Sequence, residues 1–510
     1  MQYSRLLAFT LLAVANVSGV FGATAAQPAL KPRQSSVRTT PLLKNFKGQP
    51  ALPSLASVQA TNATGSALDL ANIQGDIFVG MKKPVENFYF FHINDAAQFK
   101  ADFKTQLSII TSAATLISPP ADQPAAYVNV GFSQSGLTAL GVTDDLGDAD
   151  FSSGQFAQAA ALKDDTTQWE PEFKGTNIHG VFLVGSDVGT NIQDTFNDAI
   201  QELLKSATIV YELDGAARPG AEAGHEHFGY LDGISNPGVD GFTTDPKPGQ
   251  SVVDAGIILT GEDGDSVTRP AWALDGSFLA FRKLKQLVPE YKKWLLDNAV
   301  QSPAGNLTQQ EGADLLGARI FGRWPSGAPI DLTPLADDPA LGADPSRNND
   351  FDFSHPDSDI TSDQSHCPFA AHIRKTRPRA DLNNANVVNQ AIRAGIPYGP
   401  EVTADESASN TTSIDRGLAF VMYQSNIGNG FQFQQTVWVD NQNFIFGKNI
   451  SSVGLDMVIG QPGAGLERSA SGFDPTDFDK VFTQNPTIIS NGGEYFFVPS
   501  ISALNNTILA

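Results

Sequence analysis

A pattern of alternating strand-like and helix-like segments occurs twice along the chain, and this repeat most restricts how the sequence can fold. The first copy begins with a strand at Phe88–Phe91, and a helix then starts behind a capping residue at Asn94 or Asp95. A second helix lies between the last two of the strands that follow, which are Ala126–Phe132, His179–Val184 and Ala207–Leu213. This strand-helix-strand-strand-helix-strand order is that of a ferredoxin-like unit.

The pattern starts again with a strand at Ser277–Phe281 and a helix directly after it. It resumes, beyond a long irregular insertion, with strands near Leu418–Tyr423 and Tyr495–Val498. We therefore expect an α+β fold with two ferredoxin-like lobes and antiparallel sheets. The lobes are predicted at residues 66–238 and 239–510.

The N-terminus has the features of processing signals. Residues 1–22 combine Arg5 with the apolar run Leu6–Val20 and small residues after it, as in a secretory signal peptide. No acidic residue precedes Asp69, so the basic segment 23–65 is predicted to be a disordered pro-peptide. Outside the signal, five glycosylation sequons fit a secreted, extracellular glycoprotein: Asn62, Asn306, Asn410, Asn449 and Asn505.

Charge and cysteine content exclude several functions. The 55 acidic residues outnumber the 33 basic ones, giving a net charge of −22, so we expect neither nucleic acid nor a membrane surface as a partner. With Cys367 as its single cysteine, the chain can form no internal disulfide or cysteine-rich zinc site. Common hydrolase and nucleotide-binding signatures are also absent from the sequence.

A cationic segment around His372 is the first candidate site. Pro368 can start a helix and Pro378 can end one, which predicts His372 about one turn inside a short helix. Four cations lie within six residues of this otherwise acidic chain: Arg374, Lys375, Arg377 and Arg379. A cationic patch beside an imidazole suggests a bound anion next to a metal or reactive centre, and haem is one match. A solvated basic face is the alternative.

A second candidate is the sequence Gly229-x-x-Asp232-Gly233. Its glycines would allow the backbone to approach a flat ligand, and Asp232 could transfer a proton there. A simple tight turn explains the same residues. The preceding His225-Glu226-His227 leaves open a non-haem metal site, because the two imidazoles would share one face of a strand.

Taken together and in this order, the two segments resemble the dye-decolorizing peroxidases. Asp232 lies in what resembles the GxxDG motif of that family, and Cys367–Arg379 resembles its proximal-histidine stretch. Further similar segments are Leu70–Ile77, Arg416–Gln424 and Gly430–Gln434. The resemblance runs from about Leu70 to Gly493. It implies two lobes of the dimeric α+β barrel type, with haem held mainly by the C-terminal lobe.

The resemblance also implies roles for individual residues. One haem b would be bound per chain, with His372 as the proximal iron ligand and Asp456 accepting the N–H of its second ring nitrogen. Asp232 would be the distal acid-base group and Arg393 the distal arginine. Residues implied to lie in the haem pocket are Arg379, Leu418 and Phe420. Two aromatics lie in segments similar to those that carry surface electron-transfer residues in some members: Trp438 and Tyr398.

The function implied is that of a secreted haem peroxidase, a monomer or homodimer. It would use hydrogen peroxide to oxidise anthraquinone dyes, phenolics and other bulky reductants through a ferryl intermediate. Three alternatives stay open at this point: a haem-thiolate peroxygenase with Cys367 as ligand, the non-haem metal protein, and a haem- or pigment-binding protein without catalysis.

Overall fold

Strands from both halves of the chain form one closed antiparallel sheet in the structure, a computed structural model that describes residues 38–62, 67–383, 385 and 387–510. The predicted signal peptide, 1–22, lies outside the described residues. The barrel strands are β1 (Val85–Ile93), β2 (Tyr127–Phe132), β3 (Gly180–Ser186), β4 (Ala207–Ala216), β7 (Ser277–Gln286), β8 (Ile392–Arg393), β9 (Ile396–Tyr398), β10 (Gly417–Gln424) and β13 (Ile488–Val498). Two small separate sheets pair β5 (Gly238–Val239) with β6 (Val252–Val253), and β11 (Arg468–Ala470) with β12 (Phe482–Gln484).

The strand order confirms two ferredoxin-like units joined into a barrel. The order is β7-β13-β2-β3-β1-β4-β9-β10-β8, and an additional β7–β10 pairing closes the ring. Within each unit the fourth strand pairs with the first and the first with the third, which is the ferredoxin-like arrangement. The units meet at Phe132↔Phe497 and at Gly215↔Tyr398. The boundary at residue 239 stays a prediction.

Strand β1 shows why uninterrupted apolar runs form this barrel. Successive side chains of a strand point to opposite faces. Phe88 and Phe90 pack in one hydrophobic core, while Tyr89 and Phe91 pack in another, which includes Phe99 of the following helix. Because both faces are buried, the strand reads as a continuous apolar run rather than an alternating one.

The helices predicted after the first strand, between the third and fourth strands and after Ser277–Phe281 are present. Asp95 is the cap of the first predicted helix, since its carboxylate accepts the N–H of Gln98 at 3.0 Å. The α-helices of four residues or more are Leu55–Asn62, Asp76–Val79, Ala96–Gln106, Ala113–Leu116, Gln134–Ala139, Ala149–Ser153, Gln155–Gln158, Gly189–Thr195, Val288–Asp297, Gln309–Phe321, Pro339–Gly342, His372–Thr376 and Ala404–Ser409. Segments of π-helix are Phe196–Ile200, Gln434–Val439 and Leu504–Ile508. No helix within the described ranges is long and apolar enough to cross a membrane.

Residues 38–62, here called the N-terminal strap, correct one prediction. The sequence predicts disorder for 23–65, and this is wrong for the strap, which packs against the barrel and its loops. Its apolar side chains Leu42, Phe46 and Val58 are buried, and the helix Leu55–Asn62 ends the strap. A basic composition favours disorder, but it does not reveal these spaced apolar anchors. The rest of the predicted pro-peptide, 23–37 and 63–65, lies outside the described residues.

Candidate active site

One cavity brings together the two candidate segments of the sequence. Asp232, His372 and Arg393 all line it. Its remaining walls are largely apolar and include Phe321, Leu418, Phe420, Phe431, Val458 and Ile488. Small-molecule and cofactor sites typically have this composition, an apolar enclosure with a few polar groups.

His372 is the first residue of a five-residue helix, so the prediction that it lies one turn inside is wrong. The backbone from Pro368 to Ala371 forms turns instead, and helical geometry starts only after Ala371. The imidazole Nδ1 lies 2.7 Å from Oδ2 of Asp456. With Nδ1–H donating to this carboxylate, Nε2 keeps its lone pair and can bind a metal.

Asp456 is itself fixed by the backbone. It is fully buried, and its Oδ1 accepts the N–H groups of Val458 at 2.7 Å and Ile459 at 3.1 Å. Burial raises the pKa of Asp456, but the nearby His372 and these hydrogen bonds outweigh that effect, so its pKa lies below the usual value. Asp456 therefore stays ionised, and its carboxylate holds the imidazole of His372 in one orientation.

Asp232 and Arg393 form an ion pair at the cavity wall. The Nη1 of Arg393 donates to Oδ1 of Asp232, which also accepts the N–H of Gly233 at 2.7 Å. Burial raises the pKa of Asp232, but the charge and hydrogen bond of Arg393 outweigh it and leave the pKa below the usual range. Asp232 is therefore ionised even in moderately acidic solution and can accept a proton.

The turn carrying Asp232 depends on two glycines and on Glu226, which the sequence places beside two histidines of a possible metal site. Gly229 and Gly233 have φ of 105° and 78°, a region that favours glycine. The buried carboxylate of Glu226 accepts the N–H groups of Phe228 at 2.8 Å and Tyr230 at 2.9 Å. Glu226 therefore organises the backbone of the turn, rather than serving as a metal ligand.

Asn236 links the two distal residues and was missed in the sequence. Its Nδ2 donates to the carbonyl oxygen of Arg393 at 2.8 Å, and its Oδ1 accepts the Arg393 N–H at 3.2 Å. The segment that follows Asp232 thereby holds the strand that presents Arg393. The only sequence signal was the position of Asn236 just after the GxxDG motif, which does not reveal its partner.

Arginines around the cavity give it the electrostatics of an anion-binding site. Arg377, which sequence reasoning included only in the basic cluster, lines the cavity and donates from Nη2 to Ser251 Oγ at 3.1 Å. Its Nη1 is buried without a hydrogen-bond partner among the described residues, and burial lowers its pKa to about 10. A buried, incompletely paired guanidinium calls for an anion. An apolar cavity with His372 and such a cation fits a haem with its iron and propionates.

Arg379 lies at this cavity, but its donors are already used. Its guanidinium donates to the carbonyl oxygens of Asn349, at 3.0 Å, and of Phe351, and to the Asn349 side chain. We infer that Arg379 mainly anchors the 349–351 loop, while Arg377 keeps free donor capacity. Leu418 and Phe420 do line the cavity, at alternate positions of β10.

The two predicted surface aromatics are not at the surface. Trp438 is 2% exposed and stacks on Phe444, with ring centroids 5.4 Å apart, while Phe446 on the other side of Phe444 is 53% exposed. Tyr398 is 4% exposed, and its hydroxyl donates to Asp415 at 3.3 Å. Both surface predictions are wrong, because Phe433 and Phe444 pack against Trp438, and the Lys283 ammonium lies over the ring of Tyr398.

The structure does not favour the haem-thiolate or the non-haem metal alternative. Cys367 is fully buried outside the cavity lining, and burial raises the pKa of its thiol well above the usual value. His225 and His227 lie in a looped segment, and their Nε2 atoms bond the carbonyl oxygens of Pro325 at 3.1 Å and Tyr398 at 2.9 Å. Within the described ranges, no group of three or more histidine, cysteine or acidic side chains could hold a metal ion.

Comparison with known proteins places these residues in a family context. A family model described as the DyP dimeric alpha+beta barrel domain matches residues 72–219, and one described as Dyp-type peroxidase, C-terminal, matches residues 227–445. The chain is 51% identical to dye-decolorizing peroxidase AauDyP1 of Auricularia auricula-judae, over 93% of each chain. A crystal structure of DyP superposes with a TM-score of 0.84 at 58% identity, covering 87% of this chain and 99% of the other. A DyP complex with 2,6-dimethoxyphenol superposes with a TM-score of 0.83 at 57% identity, covering 87% and 100%.

Proposed function

The chain belongs to the dye-decolorizing peroxidase family, and from that premise we propose which of its side chains carry out the peroxidase reaction. As a member of this family, the protein is an oxidoreductase that uses hydrogen peroxide to oxidise dyes and phenolics. The observation that carries the residue assignment is the single cavity lined by the Asp456-bonded His372 and by the Asp232–Arg393 ion pair.

The homologues of this family are haem-dependent. We propose haem b, held through Nε2 of His372, with its propionates near Arg377. When bound, the haem supplies an iron centre that binds peroxide and takes up its oxidising equivalents. The carboxylate of Asp456 accepts the hydrogen bond of the His372 Nδ1–H, which makes Nε2 a more basic ligand.

Asp232 and Arg393 handle the protons and charge of the peroxide. The ionised Asp232 accepts a proton from one peroxide oxygen and returns it to the other, which leaves as water. The guanidinium of Arg393 stabilises the negative charge that develops as the O–O bond breaks heterolytically. Neither residue is consumed, because the proton borrowed by Asp232 is given back in the same cycle.

Bulky reductants require a route for electrons through the protein. Val439 lines the cavity, and the adjacent Trp438 contacts Phe444, which in turn contacts the exposed Phe446. We propose that a dye docks at Phe446 and that Trp438, which Phe444 separates from this exposed ring, relays the electron. Small phenols can instead react at the cavity.

The test of the function is a titration of the haem-loaded protein with peroxide. One equivalent of hydrogen peroxide should shift the Soret band, and 2,6-dimethoxyphenol should then restore the original spectrum within seconds. A Soret band that does not respond to peroxide would show a pigment-binding protein without catalysis and would overturn the proposal.

Replacing Arg393 with leucine should slow the reaction with peroxide by roughly 10²–10³-fold while haem stays bound. It should also move the acid limb of the pH-rate profile to higher pH. Arg393 holds the pKa of Asp232 below its usual range, so without that charge Asp232 is protonated, and unable to act as a base, at a higher pH. Stopped-flow rates between pH 2.5 and 6 measure both effects. The exposed Arg347→Leu serves as the matched control, and an unshifted limb in Arg393→Leu would contradict the pairing.

Replacing Trp438 with serine should depress oxidation of a bulky anthraquinone dye by roughly tenfold or more and leave 2,6-dimethoxyphenol oxidation within about twofold, because only the dye depends on a charge-relaying ring. Steady-state rates on both reductants measure this. Tyr398→Phe, which keeps the packing of the second buried aromatic, is the comparison. Equal losses on both reductants in Trp438→Ser would rule out a selective relay.

We propose that the protein is secreted after removal of the 1–22 signal. The exposure of four sequon asparagines supports this: Asn306, Asn410, Asn449 and Asn505 are all exposed. Asn62 is half-buried, and its side chain donates to the carbonyl oxygen of Gly241 at 3.1 Å. A monomer or homodimer stays the predicted assembly.

A further inference from the structure

A second cavity, of about 290 Å³, lies between the N-terminal strap and the backbone that follows Asp232. The strap contributes residues 50–54 and Ser57 to its lining, and the barrel side contributes Gly233, Asn236 and Pro237. Ile392, the residue before Arg393, also lines it. The cavity approaches the lower end of the ~300–1,000 Å³ typical of ligand pockets. Because Gly233, Asn236 and Pro237 follow Asp232 closely, the turn that carries Asp232 forms one wall of this second cavity.

The strap is held over this region by a small number of close contacts. Gln49 Nε2 donates to the carbonyl oxygen of Asp232 at 2.8 Å, and Asn348 Nδ2 donates to the carbonyl oxygen of Gly48 at 2.8 Å. A Cβ on Gly233 would lie 2.4 Å from Gln49 Nε2, so a larger residue there would push the Gln49 amide away from the turn. The strap thus covers the turn that carries the distal acid.

Lys82 is a buried cation in this cavity that forms no ion pair with any described residue. It is 7% exposed, and its Nζ donates to Oε1 of Gln49, a neutral strap amide, at 3.2 Å. No neighbouring carboxylate in the described part of the chain offsets this burial, which lowers the pKa of Lys82 to about 8. A buried ammonium without an anion is costly, and an anionic ligand would relieve that cost.

The rest of the cavity suits an aromatic body. Phe78 and Phe242 stack with ring centroids 4.4 Å apart, and both line the cavity with Val79. Lys247 adds a second cation, which pairs with Asp245. An apolar aromatic wall beside an unpaired ammonium is the chemistry that recognises a flat molecule carrying a sulfonate or carboxylate.

We propose that the barrel-side wall of this cavity is a second reductant site, for anionic aromatic molecules, which the N-terminal strap covers and which becomes accessible when the strap is released. Release removes Gln49 from both Lys82 and the Asp232 carbonyl oxygen, so that the ammonium meets solvent beside the distal turn. In a chain with a net charge of −22, this uncovered cation gives an anionic dye a favourable place to bind. The proposal rests on the peroxidase function proposed above, because the site matters only if reductants are oxidised here.

The experiment uses the haem-loaded full chain with a protease recognition sequence in place of residues 63–66. Cleavage and a salt wash release the strap, and mass spectrometry verifies its loss. The probe is anthraquinone-2-sulfonate, whose Kd is measured by equilibrium titration of intact and released enzyme. Release should lower this Kd by roughly tenfold or more, as expected for a new charge-assisted hydrogen bond. Oxidation of 2,6-dimethoxyphenol should change by less than about twofold.

Variants assign the effect to the cavity. Lys82→Gln should return the Kd of the released enzyme to that of the intact chain, while Lys104→Gln, at an exposed lysine of the helix Ala96–Gln106, should leave it unchanged. A synthetic peptide of residues 38–62 should compete with the probe. If release costs the enzyme its haem, the intact chain supplies the test instead: Gln49→Ala with Phe46→Ala should loosen the strap and lower the Kd by roughly threefold.

The outcomes separate this inference from the proposed function. If every form oxidises the phenol but release, or strap loosening, leaves the Kd unchanged, the second site is refuted and the peroxidase assignment stands. The second site is likewise refuted if Lys82→Gln binds the probe as tightly as the released parent. If no form oxidises the phenol with peroxide, the proposed function itself fails.

Discussion

Replacing His372 with alanine is expected to remove both the haem absorbance and the peroxide reaction. The imidazole is the one cavity-lining side chain whose second nitrogen is bonded to a buried carboxylate, Asp456, within the described residues. Losing a partner such as Asp456 typically costs ~10–100-fold in metal affinity, so losing the ligand itself should cost more than ~100-fold in haem retention. Haem content by pyridine haemochrome and the Soret absorbance of the purified protein measure this.

A matched control and a rescue make the His372 prediction specific. His366 pairs with Asp363 and stacks on His355, with ring centroids 3.7 Å apart, and does not line the cavity. His366→Ala should therefore keep its haem. Added imidazole should partly restore the Soret band of His372→Ala by filling the vacated space. Full colour and peroxide turnover in His372→Ala without imidazole would refute ligation by His372.

Replacing Asp232 with asparagine should slow the reaction with peroxide by roughly 10²–10⁴-fold with haem still bound. Asparagine keeps the shape of the side chain but cannot accept the proton. The rate should recover at high pH, because the hydroperoxide anion needs no base. Stopped-flow spectroscopy with hydrogen peroxide from pH 3 to 10 measures both effects.

The control for Asp232 is the exposed Asp405→Asn, which removes one negative charge far along the chain from the motif. It should react at the parent rate at every pH. A rate in Asp232→Asn equal to that of the parent at pH 4 would show that another group moves the proton. Glu226 would then be the next candidate, because it also lines the cavity.

The sequence predicted the barrel well for a physical reason. Strands such as β1 bury both faces, and their uninterrupted apolar runs stand out from the surrounding chain. The order of strands and helices then limits the topology to few solutions. The cap at Asp95 was likewise readable, because a cap depends on residues close in sequence.

The errors arose where tertiary packing decides the structure. Trp438 is buried because Phe433 and Phe444 pack against it, and the sequence around the tryptophan does not reveal this arrangement. The guanidinium of Arg379 donates hydrogen bonds to the carbonyl oxygens of Asn349 and Phe351, which lie about thirty residues earlier in the chain. The family resemblance indicated His372, Asp232 and Arg393. The hydrogen bonds by which Glu226 and Asn236 hold the backbone around Asp232 and Arg393 are visible only in the folded structure.

The closed barrel has a consequence for how the chain could be divided. Strands β2 and β4 of the first unit are completed by β13 and β9 of the second. A free first unit would therefore have two edge strands with unpaired backbone N–H and C=O groups, and a free second unit would have two as well. Such fragments would tend to stack on copies of themselves. Cutting the chain between the two units would therefore favour aggregation of either half over independent folding.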